Sequence, residues 1–304
     1  MSYRFEGNES VGKAVERIAL ELLDEALEHT KAKAKLDEAV HNVRVCFKKL
    51  RGLIRLVRDE IGEHQYKREN VLYRDLNRQL SAVRDAAALT EMLDKLEQRF
   101  VDELVPNAFA SVRKSLSRAA RKRLADKKAA LIQARKKIIA ARKRVKKWSI
   151  KNDSFAVVGP GLLCVYSRGR AGFDNSTSKQ TVRAFHDWRK DAKYLRYHLE
   201  LLRGTWPKEL KRFAKEVDRL VDYLSDDHDL AMLRERVLEA SQESGTEQET
   251  LIALIDKRRA ELQARAYFLG ERIYAENPEA LEDRFHKYWK VWRSEQGVNP
   301  LAAK

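Results

Sequence analysis

The sequence predicts an all-α protein built from long helices, on three observations. Only 12 Gly and 5 Pro interrupt 304 residues, below the roughly 7% and 5% of average usage. Long helices are therefore permitted, and a sandwich or barrel that depends on many tight turns is disfavoured. Apolar residues recur at helical spacing even in the most charged part of the chain. One helical motif also occurs twice, at an offset of 145 residues, each time followed by a second shared block.

The first copy of the motif runs His41-Asn-Val-Arg44-Val-Cys-Phe-Lys48-Lys-Leu50-Arg51. On a helix at about 100° per residue, Arg44, Lys48, Arg51, Arg55 and Arg58 fall within roughly 100° of His41. Val43, Phe47, Leu50, Ile54, Val57 and Ile61 occupy the adjoining arc. The sequence thus predicts an apolar seam flanked by a cationic ladder, starting after Asp37 as a cap. The block Leu80 to Leu89, containing Arg84-Asp85, follows.

Between Arg113 and Lys147 stand 16 Lys or Arg and one acid, Asp126, a local net charge of +15 in a chain of +16. Leu124, Leu131, Ile138 and Val145 recur every seven residues there, with Ala and Ile at neighbouring positions, so a long helix with one packed seam is expected. Self-repulsion of that charge calls for acidic neighbouring helices or a bound polyanion.

Around Ser149 to Gln180 the pattern breaks. Gly159, Pro160, Gly161, Gly169 and Gly172 precede the polar run Asp174–Ser178. This reads as a connection (151–180) holding one short helix, Gly161 to Ala171, between a first unit (8–150) and a second (181–298).

The second unit repeats the motif as His186-Asp-Trp-Arg189-Lys-Asp-Ala-Lys193-Tyr-Leu195-Arg196. His186, Arg189, Lys193, Arg196 and Arg203 share one stripe, beside Trp188, Ala192, Leu195, Leu199 and Leu202. Ser178 is the expected cap. The block Leu224 to Leu233, with His228-Asp229, matches Leu80 to Leu89 at an offset of 144. Two motifs in the same order argue for a duplicated unit.

Two ladders, each about 25 Å long, suit a linear polyanion. Arg offers a planar fork to phosphate oxygens and Lys a point charge. Amides at the helix starts, close to both histidines, add to the field. Counterion release makes such binding steeply salt-dependent. Asp85 and Asp229 read as braces for the arginines.

Nonspecific RNA or DNA binding would draw on the same electrostatics, although no recognition motif or aromatic stacking platform is visible. Tyr194, Tyr197 and Trp188 fit a core or channel wall. A metal-dependent phosphohydrolase is the third reading, from His186-Asp187 and His228-Asp229. Adjacent residues on a helix point about 100° apart, however, and a cationic ladder opposes a divalent ion.

No cofactor is expected, because Cys46 and Cys164 match no metal or redox spacing. They read as buried thiols of a reducing cytoplasm. Mean hydropathy is −0.61 and no apolar run approaches the ~18 residues of a membrane span. Neither a membrane partner nor export is expected.

These motifs make the chain resemble the CHAD family, the conserved-histidine α-helical domains. Val40 to Arg51 is similar to the family's His-Arg…Arg-Arg-Leu-Arg segment, with Lys48 and Lys49 where Arg is usual. Phe185 to Glu200 resembles the second histidine segment, with Phe185 for Leu. Arg84-Asp85, His228-Asp229-Leu230 and Tyr166-Ser-Arg168-Gly169-Arg170 resemble three further blocks, so the likeness spans about residues 10 to 295. Ser81 and Ser225 stand where Gly is usual. Family members are often fused to a triphosphatase-like domain; the chain has no room for one, and that activity is not expected.

The resemblance implies two helical bundles related by pseudo-twofold symmetry around a central basic channel. It implies non-enzymatic binding of inorganic polyphosphate, commonly at polyphosphate granules. By position, the implied contacts are His41, Arg44, Lys48, Lys49, Arg51 and Arg55 in the first half. The second half offers His186, Arg189, Lys193 and Arg196, and the connection Tyr166, Arg168 and Arg170. Phosphate beside His41 and His186 should favour their imidazolium forms, so affinity should rise as pH falls through about 6.5.

Overall fold

The structure is a computed structural model describing residues 3–295 and 297, except 33, 83–84, 106, 122–123 and 240–244, with side chains at 82–87 and 119–125 also outside the description. Arg84, Asp85 and the seam residue Leu124 therefore lie outside the described side chains. The described chain is all-α: α1 (Val11–His29), α2 (Leu36–Leu56), α3 (Arg58–Ile61), α4 (Glu63–Ala82), α5 (Asp85–Arg99), α6 (Ala110–Arg121), α7 (Leu124–Val145), α8 (Gly159–Lys179), α9 (Val182–Leu202), α10 (Pro207–Glu239), α11 (Thr246–Ile273) and α12 (Pro278–Glu295).

Apolar faces gather these helices around two cores. In the larger, α2 and α7 pack between α1 and α4, while α8, α9, α12 and the first half of α10 close the other side. The smaller core joins Leu93, Leu96, Phe109 and Leu116 of the α5–α6 region to Leu230, Leu233, Leu251 and Ile255 of α10 and α11. With 33 residues, α10 is about 50 Å long and serves both.

The two motif helices cross directly. A Cβ on Gly52 of α2 would stand 2.8 Å from Tyr197 Cβ of α9, so the absent side chain lets the backbones approach. At the same crossing, Nε2–H of the fully buried His198 donates to the Gly52 carbonyl at 3.1 Å.

Helix starts differ from the sequence expectation. Thr181 caps α9, its Oγ1 accepting from Ala184 N at 3.2 Å, because α8 continues through Ser178. No side chain caps α2, which begins at Leu36 after the left-handed Lys35. Asp37 lies in its first turn and pairs with Lys127 of α7 at 2.6 Å. His41 and His186 thus sit beyond the first helical turn, past the free amides.

The short helix expected at Gly161–Ala171 is instead the 21-residue α8. Its glycines act as contact points rather than breakers: a Cβ on Gly161 would lie 2.1 Å from the Leu56 carbonyl oxygen. Within the polar run, which is helical, Ser176, Thr177 and Ser178 donate their hydroxyls to the carbonyls three residues back.

The basic segment forms α6 and α7, which enter different cores. Neighbouring acids take up part of its charge: Arg113 pairs with Asp94 and Glu97, and Arg142 with Asp24. The fully buried Glu69 of α4 receives Arg144 at 2.6 and 3.0 Å. Leu131, Ala134, Ile138, Ala141 and Val145 form the buried seam of α7. Ile132 and Ile139 face outward, outside the packed pattern. Cys46 is buried as expected, whereas Cys164 is only half-buried.

Candidate functional site

On α2, His41, Arg44, Lys48, Arg51 and Arg55 lie half-buried along one stripe. Neutral groups orient its C-terminal end. Arg51 Nε donates to Asn70 Oδ1 at 3.0 Å, and Arg55 Nη1 donates to Tyr66 Oη at 3.0 Å. Tyr66 and Asn70 are one turn apart on α4 and so share a face. The Arg55 guanidinium also lies 4.3 Å from the ring centroid of Tyr194 on α9, and Arg51 5.7 Å from it. Such partners hold a guanidinium in place without cancelling its charge. Burial, reinforced by the nearby Arg55, lowers the pKa of Arg51.

On α9, burial lowers the Lys193 pKa well below its usual value, and the like charges of Arg189, Lys48 and Arg196 push it the same way. Lys48 of α2 and Lys193 of α9 thus lie within reach of each other's charge. Burial also lowers the pKa of Arg189, against the fields of Asp229 and Asp227. Arg189 Nε is buried without a hydrogen-bond partner.

Beside this cluster, His186 Nδ1 of α9 lies 3.4 Å from His228 Nδ1 of α10, and the rings are 4.8 Å apart. Burial and then Arg189 lower the His186 pKa. The same causes, joined by His186, bring His228 to about 3. Both imidazoles are neutral near pH 7.

Other expected contacts are placed differently. Arg196 is braced by acids, donating from Nη1 to Asp218 at 2.6 Å and from Nε to Glu200 at 3.2 Å. Lys49, about 100° round from Lys48, stands 5.1 Å from the ring centroid of Tyr3. Tyr166 is fully buried, its hydroxyl donating to the carbonyls of Ile273 and Glu276 at 2.9 and 3.0 Å. Its contacts are those of a wedge between α8 and the end of α11. Exposed Arg168 pairs with buried Asp191 at 3.2 Å, and Arg170 is half-buried on α8.

The geometry adds His228, Tyr194, Tyr66 and Asn70 to the site. His228 stands in the repeated block at the place of Arg84, and the i, i+4 spacing of Tyr66 and Asn70 marks a common face. Nothing in the sequence tied α4 to the arginines of α2. Trp188 and Tyr197 are buried in the core, whereas Tyr194 lines the cationic stripe. Among the described residues, no group of three or more His, Cys, Asp or Glu is arranged to hold a metal.

The family model for the CHAD domain matches residues 17–238. The fold is similar to that of PptA from Streptomyces chartreusis, with 13% identity, a TM-score of 0.61 and coverage of 88% of this chain and 100% of that one. It is similar also to the CHAD domain from the plant Ricinus communis, with 15% identity, a TM-score of 0.60 and coverage of 94% and 95%. No curated protein sequence matches the chain.

Proposed function

The chain belongs to the CHAD-domain family, and from that premise we propose that it binds inorganic polyphosphate, without chemistry, along the cationic stripes of α2 and α9. The observation that carries this reading is the meeting of the two stripes, where Arg55 of α2 stands 4.3 Å from the Tyr194 ring centroid of α9 and Lys48, Arg189 and Lys193 lie within one another's field. Like charges brought together with partial desolvation raise the free energy of the empty site. A polymer with a negative charge on every unit relieves that repulsion along its length. The neutral partners of Arg51 and Arg55 favour the same view, since they orient donors and leave the charge for a ligand.

Arg189, Lys193, Arg51 and Arg55 would take the phosphoryl oxygens, Arg as forks and Lys as a point charge. Tyr194 would hold the Arg55 guanidinium in place over its ring. His186 and His228, neutral in the free protein, would each offer one N–H donor. A protein binding in this way would act in the cytoplasm at polyphosphate granules.

The test is a titration with labelled long-chain polyphosphate, competed by unlabelled polymer and by single-stranded RNA. Displacement by polyphosphate at a phosphate concentration at least about tenfold below that needed for RNA supports the reading. Equal competition by RNA would move the assignment to nucleic acid, because both present phosphates and only a site adapted to polyphosphate distinguishes them.

A further inference from the structure

The outward face of α7 belongs to none of the contacts described above. At about 100° per residue, Lys128, Lys136, Ile139 and Lys143 all fall within roughly 40° of Ile132. The opposite face, Leu131 to Val145, is packed into the larger core. The three lysines are exposed, Ile132 keeps 57% of its surface accessible and Ile139 43%. Asp126, the only acid in the sequence of α7, lies about 120° round from Ile132. Three cations and two large apolar side chains therefore alternate along one line of a 22-residue helix, about 33 Å long.

We infer that this face docks the protein on an anionic lipid surface. Either half of the stripe alone has a simpler reading. Lysines alone would suit any polyanion, and an isolated exposed isoleucine needs no explanation. Lysines flanking exposed isoleucines on one line suit an anionic lipid surface, where the apolar tips can enter the acyl boundary while the lysine stems reach the headgroups. A free phosphate polymer would satisfy Lys128, Lys136 and Lys143 but leave Ile132 and Ile139 in water. The helix needs no refolding to dock, because its inner face already holds it on α1, α2 and α4. The exclusion of a membrane span is unaffected: no helix among the described residues is long and apolar enough to cross a membrane.

Flotation of the full chain with phosphatidylcholine vesicles, with and without about 30% phosphatidylserine, tests the inference. The wild type should float with the anionic vesicles and stay behind with the neutral ones. Ile132→Ser/Ile139→Ser retains every charge and should lower partitioning at least about fivefold. Lys128→Gln/Lys136→Gln/Lys143→Gln should lower it more and remove the dependence on phosphatidylserine. Arg189→Ala should float as the wild type does. Absence of wild-type binding overturns the inference, as does flotation that survives both α7 variants or is abolished by Arg189→Ala. It is also overturned if the isoleucine variant floats normally and the lysine variant loses only polyphosphate binding, which would make the stripe a second polymer site.

Discussion

The Nδ1 atoms of His186 and His228, on neighbouring helices, lie 3.4 Å apart. Burial and the field of Arg189 keep both rings from taking a proton. A phosphate placed beside Arg189 and Lys193 opposes that field and raises both pKa values. Binding then takes up protons, and affinity rises as pH falls below the pKa of the bound state. Because free His186 titrates below 6.5 and free His228 at about 3, the rise continues beneath 6.5 instead of finishing there. Polyphosphate affinity should change between about pH 8 and 7 only through Lys193, whose lowered pKa a bound phosphate also raises. It should then climb toward about pH 5 by at most roughly tenfold per unit for each proton taken up. In His186→Gln/His228→Gln the climb should vanish; if it persists, other groups are responsible.

The three cations of the α9 stripe, Arg189, Lys193 and Arg196, are not equivalent. Arg196 is bonded to Asp218 and Glu200, so a polymer would have to displace two carboxylates to reach it. Arg189 Nε is unbonded, and Lys193 is surrounded mainly by like charge. Arg189→Ala or Lys193→Gln should weaken polyphosphate binding about 10- to 100-fold, the range of a charged hydrogen bond worth roughly 1.5–3 kcal/mol. Each should also make the slope of log affinity against log salt shallower by about one. Arg196→Ala should change affinity less than about threefold and leave that slope alone. Equal losses at all three positions would contradict the division.

Periodicity reached the motif helices because His, Arg and Lys at i, i+3 and i+7 define a face whatever the tertiary surroundings. It could not separate Arg196 from Arg189, since Asp218 belongs to another helix. The length of α8 was hidden for a related reason. Gly161 reads locally as a breaker, and only the Leu56 carbonyl beside it makes glycine a requirement of packing. Likewise, Ile132 and Ile138 are the same residue type on one helix, and contact with the core alone decides which is buried. Asp85 falls outside the described side chains, whereas the field of Asp229 acts on Arg189 and Lys193.

Gly161→Ala should be disruptive although alanine favours helices. The added methyl would lie 2.1 Å from the Leu56 oxygen and 2.7 Å from the Arg55 oxygen, backbone atoms that move only if α2 or α8 moves. A loss of about 1–3 kcal/mol in urea unfolding is expected for such overpacking. Displacing the end of α2 also shifts Arg55 from Tyr66 and Tyr194, so polyphosphate affinity should fall as well. A variant as stable as the wild type would show that the contact is looser than described.

His198 makes the stability of the fold depend on pH. Its ring is fully buried, Nε2–H is spent on the Gly52 carbonyl, and Nδ1 has no partner. Burial takes its pKa to about 3, whereas an unfolded histidine titrates near 6.5. Below about 6.5 the unfolded chain takes a proton that the folded chain refuses. The stabilising contribution is therefore complete above that pH and declines as pH falls toward the folded value. The slope approaches 1.4 kcal/mol per pH unit, as a rough figure, once the unfolded ring is mostly charged. His198→Gln should keep a donor for Gly52 without the titration. Urea unfolding at about pH 7 and pH 5 should then show a difference smaller by roughly 1–2 kcal/mol in the variant. His228 and His186, lowered in the same direction, add to the dependence, while the buried carboxyls of Asp191, Asp227 and Asp229, whose pKa values are raised, act against it. An unchanged difference between the two pH values would mean that the ring at the α2–α9 crossing is hydrated and can charge in place.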